Sequence, residues 1–275
     1  MVTGKTALFR AQRRWADAHG VRYDARGCVH DLGDNLRVPL RGAALDDMRR
    51  GSELTPGVRG PARILSLGSS AALVVNVFDY WRGRDAAPLV NALGITGVGH
   101  VQLTFEEPLP TRLPGDAPTA DVALARSDGG CIAIESKYGE WLVRRPRNKQ
   151  VFKDKYFPRG EGIWAALGLP RAQALAEDLQ AGRERLKLLN AAQLLKHALG
   201  LARNGLNNNV LVYLYYDWPV RESAVHRSEI DRVLERLHPE VDLRALTYQT
   251  LFRSLCAAPG LEQTYLDYLR RRYFA

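Results

Sequence analysis

Asp121, Glu135 and Lys137 are the residues whose types and spacing offer chemistry. They lie within TADVALARSDGGCIAIESKYGE (119–140), where two runs rich in Val, Ile and Ala flank the turn formers Ser127-Asp128-Gly129-Gly130. That pattern predicts a hairpin. Glu135 and Lys137, two apart on its second strand, share a face, and a turn of two or three residues sets Asp121 opposite Glu135 or Ser136. Charges of both signs at the mouth of an apolar hairpin cost stability unless they pair or hold a metal. Two carboxylates on adjacent strands, with a strand carbonyl such as that of Ser136, make an all-oxygen site suited to hydrated Mg²⁺, with Mn²⁺ as a substitute. A metal there polarises a phosphate oxygen and lowers the pKa of a bound water. Lys137 would orient that water or neutralise charge developing on phosphorus.

Such a site needs a frame. His100 to Glu106 alternates as a strand and leads through the Pro-rich EEPLPTRLPGDAP into the hairpin, so a three-stranded antiparallel meander is expected. Ahead of it, Ser69-Ser70 cap a buried helix over AALVVNVFDYW, and Pro88 fits the first turn of a second short helix. Gly94, Gly97 and Gly99 read as a flexible turn rather than a phosphate cradle, because no strand clearly precedes them. Beyond the hairpin, helices from Pro170 and through LKLLNAAQLLKHALGLARNG lead to a buried strand, VLVYLYY (210–216). A helix from about Ser223 to Leu237, capped by that Ser, a strand at 241–248 and helices near 249–257 and 260–272 follow. Helix, meander, helix, strand, helix is the order of a mixed α/β core. Residues 6–18 predict an amphipathic helix, and 20–63 a loop-rich wrap with a helical turn or two around Ala43 to Arg50. The expected division is an N-terminal helical and loop-rich extension, 1–65, and a core, 66–275.

Composition narrows the function. The 275 residues carry a formal charge of +9, and a pI near 9.6 favours polyanionic partners such as nucleic acid. No run of about 18 apolar residues offers a membrane span, and no signal peptide opens the chain, so a cytosolic protein is expected. Cys28, Cys131 and Cys256, odd in number and far apart, predict buried reduced thiols rather than disulfides or a zinc site. Just past the hairpin, Arg144, Arg145, Arg147, Lys149 and Lys153 crowd a segment suited to DNA phosphates, with Tyr156 or Phe157 available to stack on bases. On the later helix Asn190, Gln193 and His197 fall within about 60° on a wheel, a polar stripe bordering the apolar face.

The spacing Asp121-x13-Glu135-x-Lys137 resembles the PD-(D/E)XK nuclease superfamily, with Ala120-Asp121 in place of the Pro-Asp dipeptide. A closer resemblance, over some two thirds of the chain, is to a bacterial restriction-endonuclease-like branch. It is carried by Ser69, Ser70, Asn76 and Phe78 on the early helix, with Ala71 replacing a Gln; by Glu135, Lys137, Tyr138 and Glu140 at the strand end; and by Gln193 and His197 on the later helix. The resemblance implies an α/β restriction-endonuclease-like core, a mixed sheet with an antiparallel meander flanked by helices. It implies a Mg²⁺-dependent endonuclease hydrolysing DNA in a defence setting, with Asp121 and Glu135 on the metal. Gln193 would hold the water or Lys137, and Tyr138, Glu140 and His197 would stand behind them. Many related nucleases also use a Glu on an early helix, for which Glu53, Asp79 and Glu106 are the possibilities. Cutting two antiparallel strands motivates a homodimer. The rivals are a catalytically weak nucleic-acid-binding protein on the same fold, and a helical-bundle interaction module in which the triad is a surface ion cluster.

Overall fold

The computed structural model describes residues 4–58, 60–143, 151–159, 161–205 and 208–274. A ribbon of β1 (Pro56–Gly57) and β2 (Gly60–Ala62) precedes the main sheet of β3 (Val101–Pro108), β4 (Thr119–Arg126), β5 (Cys131–Lys137), β6 (Val210–Tyr215) and β7 (Leu243–Thr247). Strand order in the main sheet follows chain order. β3, β4 and β5 form the expected antiparallel meander, whereas β5, β6 and β7 run parallel. The architecture is α/β, and the sheet excludes the helical-bundle rival. At the β4–β5 turn Arg126 N–H donates to the Gly130 carbonyl at 2.8 Å, closing the hairpin.

Alternation along the strands separates two apolar clusters. Ile132, Ile134, Val212 and Leu214 point to one face, under α3 (Ser70–Phe78) and α8 (Tyr248–Ala257). Cys131, Ala133, Leu211 and Tyr213 point to the other, under α5 (Pro170–Gln180), α6 (Ala191–Arg203) and α7 (Glu222–Leu237). Ser69 caps α3 as expected, its Oγ accepting the Ala72 N–H at 3.2 Å. Ser223 does not cap α7. The helix begins at Glu222 without a side-chain cap, and the buried Ser223 hydroxyl donates to the Trp218 carbonyl instead.

Among the described residues no helix is long and apolar enough to cross a membrane. Helix α1 (Gly4–Ala18) packs on α9 (Gln263–Tyr273), with Gln12 Nε2 donating to the Arg272 carbonyl at 3.0 Å. Helix α2 (Gly42–Arg50) lies on β3, where Asp47 Oδ2 accepts the Phe105 N–H at 3.1 Å and the Arg82 guanidinium at 2.8 Å. Arg82 also donates to the Leu103 carbonyl at 3.0 Å, so side chains rather than a sixth strand occupy this edge. The cysteines are free, and of the three only Cys131 is buried; Cys256 is exposed because it falls outside the α8 stripe of Tyr248, Leu251, Phe252 and Leu255.

Candidate active site

Strand phase determines where the chemistry sits. Glu135 and Lys137 follow Cys131 and Ala133 by twos and therefore enter the α6 face of the sheet. The small side chains of Ala123, Ala133 and Cys131 leave room there for α6, and Gly200 lets the helix approach further. A Cβ at Gly200 would meet the Leu109 carbonyl oxygen at 2.5 Å. Glu135 is consequently fully buried. Its Oε1 accepts a hydrogen bond from Lys137 Nζ, while Oε2, although buried, has no hydrogen-bond partner.

Asp121 reaches the same point from the neighbouring strand. Val122 pairs with Ile134, which sets Asp121 beside Glu135, and Asp121 Oδ2 accepts the Ser136 N–H at 2.6 Å. Ser136 itself faces the opposite side, its Oγ 2.7 Å from the Tyr248 hydroxyl. On the outer strand the pairs Phe105–Val122 and Glu107–Ala120 bracket Glu106 and Asp121, so the three acids occupy successive strands at one level. Glu106 adopts φ +47°, an unusual conformation for a residue with a side chain, and interrupts the ladder there. Gly51 fits directly against its side chain, since a Cβ at that position would meet Glu106 Oε2 at 2.5 Å. Glu53 follows two residues later and pairs with Arg63 at 3.5 Å.

The electrostatics are those of crowded acids. Burial, then the Glu135 carboxylate, pushes Asp121 up to about 8 against the counter-pull of Lys137 and the Ser136 N–H. Burial, then Asp121, Glu53 and Glu135, pushes Glu106 up to about 7. Burial also raises Glu135, although Lys137 opposes it. For Lys137 burial favours the neutral amine, but Glu135, Asp121 and Glu140 together outweigh it and raise its pKa, so it stays an ammonium. Of the early acids, Glu106 and Glu53 belong to this field. Asp79 instead pairs with Arg82 at 3.3 Å.

Among the described residues no three His, Cys, Asp or Glu side chains form a ready metal cage. What Asp121 and Glu135 could offer a cation is two carboxylates from adjacent strands, one of them with an unpartnered buried oxygen. A hard cation that keeps several waters takes that kind of site.

Helix α6 closes the site. The His197 ring is fully buried, with Nδ1 3.4 Å from Glu135 Oε2. Burial, then Lys137, pushes its pKa down to about 3, so the ring is neutral. Gln193 lies one turn nearer the helix start. Asn209 Nδ2 ties the Leu201 carbonyl, near the end of α6, to the loop leading into β6 at 3.2 Å, so the Gln193 end of the helix points toward the strand ends that carry Lys137. The side-chain oxygen of Gln193 accepts a hydrogen bond from Asn190 at 3.1 Å.

Tyr138 packs in the opposite face against Tyr216, Trp218 and Tyr273. Glu140 is exposed and accepts the Tyr138 and Gly139 N–H groups at 2.8 and 3.0 Å, fixing the turn after β5. Arg144, Arg145, Arg147 and Lys149 lie outside the described residues; Lys153 is exposed. Tyr156 and Phe157 are not free to stack on bases. They pack with Phe152 and Trp164, because burying these rings together outweighs leaving them in water.

Residues 54–274 match the family described as restriction endonuclease associating with ARP. The chain belongs to this family. Searches of curated proteins and of solved structures returned no match. The part of the chain matched to the restriction endonuclease family begins immediately after Glu53 and takes in Glu106, Asp121, Glu135, Lys137, Gln193 and His197.

Two positioning acids were not among the sequence candidates. Glu229 on α7 is buried and accepts the N–H groups of Lys187, Leu188 and Leu189 at 2.7 to 2.9 Å, holding the turn that launches α6. Asp47 holds β3. Each stands on an apolar helical stripe, Glu229 with His226, Ile230 and Val233, and Asp47 with Ala44 and Met48. A carboxylate in such a stripe is the signal that would have found them.

Proposed function

We propose that this restriction endonuclease family member is a Mg²⁺-dependent nuclease of the PD-(D/E)XK type that hydrolyses DNA phosphodiesters, with Mn²⁺ able to substitute. The observation that carries the reading is the meeting of Asp121 and Glu135 beside Lys137, with Glu106 at the same level and one Glu135 oxygen unpartnered. Asp121 and Glu135 would hold the metal, which supplies Lewis acidity toward the phosphate and a more acidic bound water.

The chain's own residues do the rest. The Ser136 N–H holds Asp121 in place, and the two carboxylates are fixed by strands rather than loops, so little reorganisation is needed when substrate arrives. Lys137, kept as an ammonium by its acidic neighbours, offers hydrogen-bond donors and positive charge to the attacking oxygen and to the phosphorane. Gln193 would help hold the water or Lys137. Exposed Lys153 and the segment carrying Arg144, Arg145, Arg147 and Lys149 would engage the DNA backbone through charge. The family description names an association with ARP, which we carry to this chain as a proposed partner. We further propose that two copies act on the two strands of a duplex. The deciding experiment incubates supercoiled plasmid with Mg²⁺ or Mn²⁺ and the wild-type protein, Lys137→Ala or Glu135→Ala. Wild type should nick, and the variants should not. Equal nicking by all three, or no cleavage of any DNA or RNA offered, sinks the nuclease reading.

A further inference from the structure

We infer that the exposed basic face of α1, with Arg10 and Arg14 at its centre, binds the phosphate backbone of duplex DNA and continues toward the site through Arg13, Arg26 and Arg63. This deepens the proposed nuclease reading and rests on it for the identity of the polyanion.

Residues 5–26 hold Lys5, Arg10, Arg13, Arg14, Arg22 and Arg26 against Asp17 and Asp24 alone. Helix α1 turns Leu8, Gln12, Trp15 and Ala16 inward and leaves Lys5, Arg10 and Arg14 exposed. Both acids are already engaged. Asp17 accepts the Tyr23 hydroxyl at 2.8 Å, and the Asp24 carboxylate accepts the Arg26 and Cys28 N–H groups at 2.9 and 2.8 Å. Among the described residues no carboxylate pairs with Arg10 or Arg14, whereas exposed arginines elsewhere find one: Arg183 meets Asp178 and Arg227 meets Asp217, each at 2.7 Å. Nor do these cations serve the helix itself. Lys5 stands in the first turn of α1, no acid accompanies it and no basic residue occupies the last turn, the reverse of what the helix dipole favours. An unneutralised basic face of this kind suits a polyanion.

Contacts along α1 connect that face to the site. The start of the helix lies on the turn after β5, where a Cβ at Gly139 would meet Leu8 at 2.5 Å and one at Gly4 would meet Leu142 at 2.5 Å. Leu142 stands just ahead of the segment with Arg144, Arg145, Arg147 and Lys149. Further along, Arg13 donates to the Ala25 carbonyl at 2.9 Å, and a Cβ at Gly60 of β2 would lie 3.3 Å from Arg26 Nη1. β2 leads into Arg63, which donates to Ser52 Oγ at 2.7 Å and pairs with Glu53 beside Glu106. Arg10 and Arg14, one helical turn apart, are separated by about 6 Å along the axis, and a strand of duplex DNA presents a phosphate every ~3.4 Å, so one strand can meet both. Because α1 precedes the matched residues 54–274, this surface belongs to the chain's own extension.

Salt dependence tests the assignment, because each phosphate contact adds about 0.9 to the slope of log affinity against log salt. The full-length protein is titrated onto a fluorescein-labelled DNA duplex of about 30 base pairs and followed by anisotropy in chelator, from about 50 to 200 mM salt. The double variant Arg10→Gln/Arg14→Gln should bind about 10-fold more weakly in the middle of that range and lower the slope by about 2. Arg10→Lys/Arg14→Lys, which keeps the charge, should retain the wild-type slope. Arg183→Gln/Arg227→Gln removes the same charge from arginines that carboxylates already neutralise, and it should bind like wild type. Equal weakening in the two Gln pairs, no change in the α1 pair, or no binding by wild type overturns the proposal, as does a loss seen only with the same duplex made of RNA. Wild type that binds DNA and shows the expected loss in the α1 pair, yet never nicks plasmid with Mg²⁺ or Mn²⁺, would count against the nuclease reading and leave the α1 surface standing.

Discussion

Asp121 Oδ2 accepts the Ser136 N–H at 2.6 Å, so the strand that supplies one candidate metal ligand is tied to the residue midway between Glu135 and Lys137. The bond fixes the acid where its charge is least welcome, since burial and Glu135 raise its pKa to about 8.

Replacing that acid by its amide therefore separates stability from activity. Asp121→Asn keeps the shape of the side chain and removes charge from a crowded acidic field. In chelator, at pH 8, the variant should melt several degrees higher than wild type by calorimetry, and with Mg²⁺ it should not nick plasmid. A variant that melts lower in chelator would show that Asp121 is stabilised by its surroundings.

The same crowding sets a pH dependence. An acid whose folded pKa is raised contributes stability that is fully present below its unfolded value, about 4, and lost as pH rises through the folded one. Glu106 at about 7 and Asp121 at about 8 thus lower metal-free stability as pH climbs toward 8. Buried His197, at about 3, and His226, at about 4, act oppositely, since they lose stability as pH falls below about 6.5. The carboxyls therefore outweigh the histidines between pH 6.5 and 8. Across that window the metal-free melting temperature should fall with rising pH, and Mg²⁺ should stabilise more at pH 8 than at 6.5. A flat profile in chelator would remove the acid crowding from the account.

Glu106 and Asp79 were equivalent in sequence, and the structure separates them. Glu106→Gln should flatten part of that pH dependence and weaken Mn²⁺ binding. Asp79→Asn, which loses only a contact with Arg82, should leave both unchanged. Equal Mn²⁺ affinities in the two variants would take Glu106 out of the site.

The candidate site was legible in the sequence where a rule of period two applied. Glu135 and Lys137 share a face because they are two apart, and the turn at Ser127 to Gly130 fixes what lies opposite. Gln193 and His197 were placed on one stripe by the period of the helix. What stayed hidden depends on contacts across long separations. The +47° φ of Glu106 arises where β3 meets Gly51, and no local propensity announces it. Tyr156 and Phe157 looked free for bases because their partners, Phe152 and Trp164, form a cluster only after the loop folds back. The Ser223 cap failed because tertiary burial claimed the hydroxyl for the Trp218 carbonyl.

Glu229 tests whether fold and site are coupled through α6. Its carboxylate takes three backbone N–H groups at 187–189, just before the helix that carries Gln193 and His197. Glu229→Ala leaves the buried Leu188 and Leu189 donors without an acceptor and should cost about 3 kcal/mol. A loss of that size lowers the melting temperature by roughly 6–12 °C. Because the turn sets where α6 begins, Mn²⁺ binding measured well below the transition should weaken too, although Glu229 touches none of Asp121, Glu135 or Lys137. Glu229→Gln keeps one acceptor oxygen and should fall between wild type and Glu229→Ala on both readouts. A variant that loses stability while holding Mn²⁺ like wild type would show that α6 keeps its place on the sheet through packing alone.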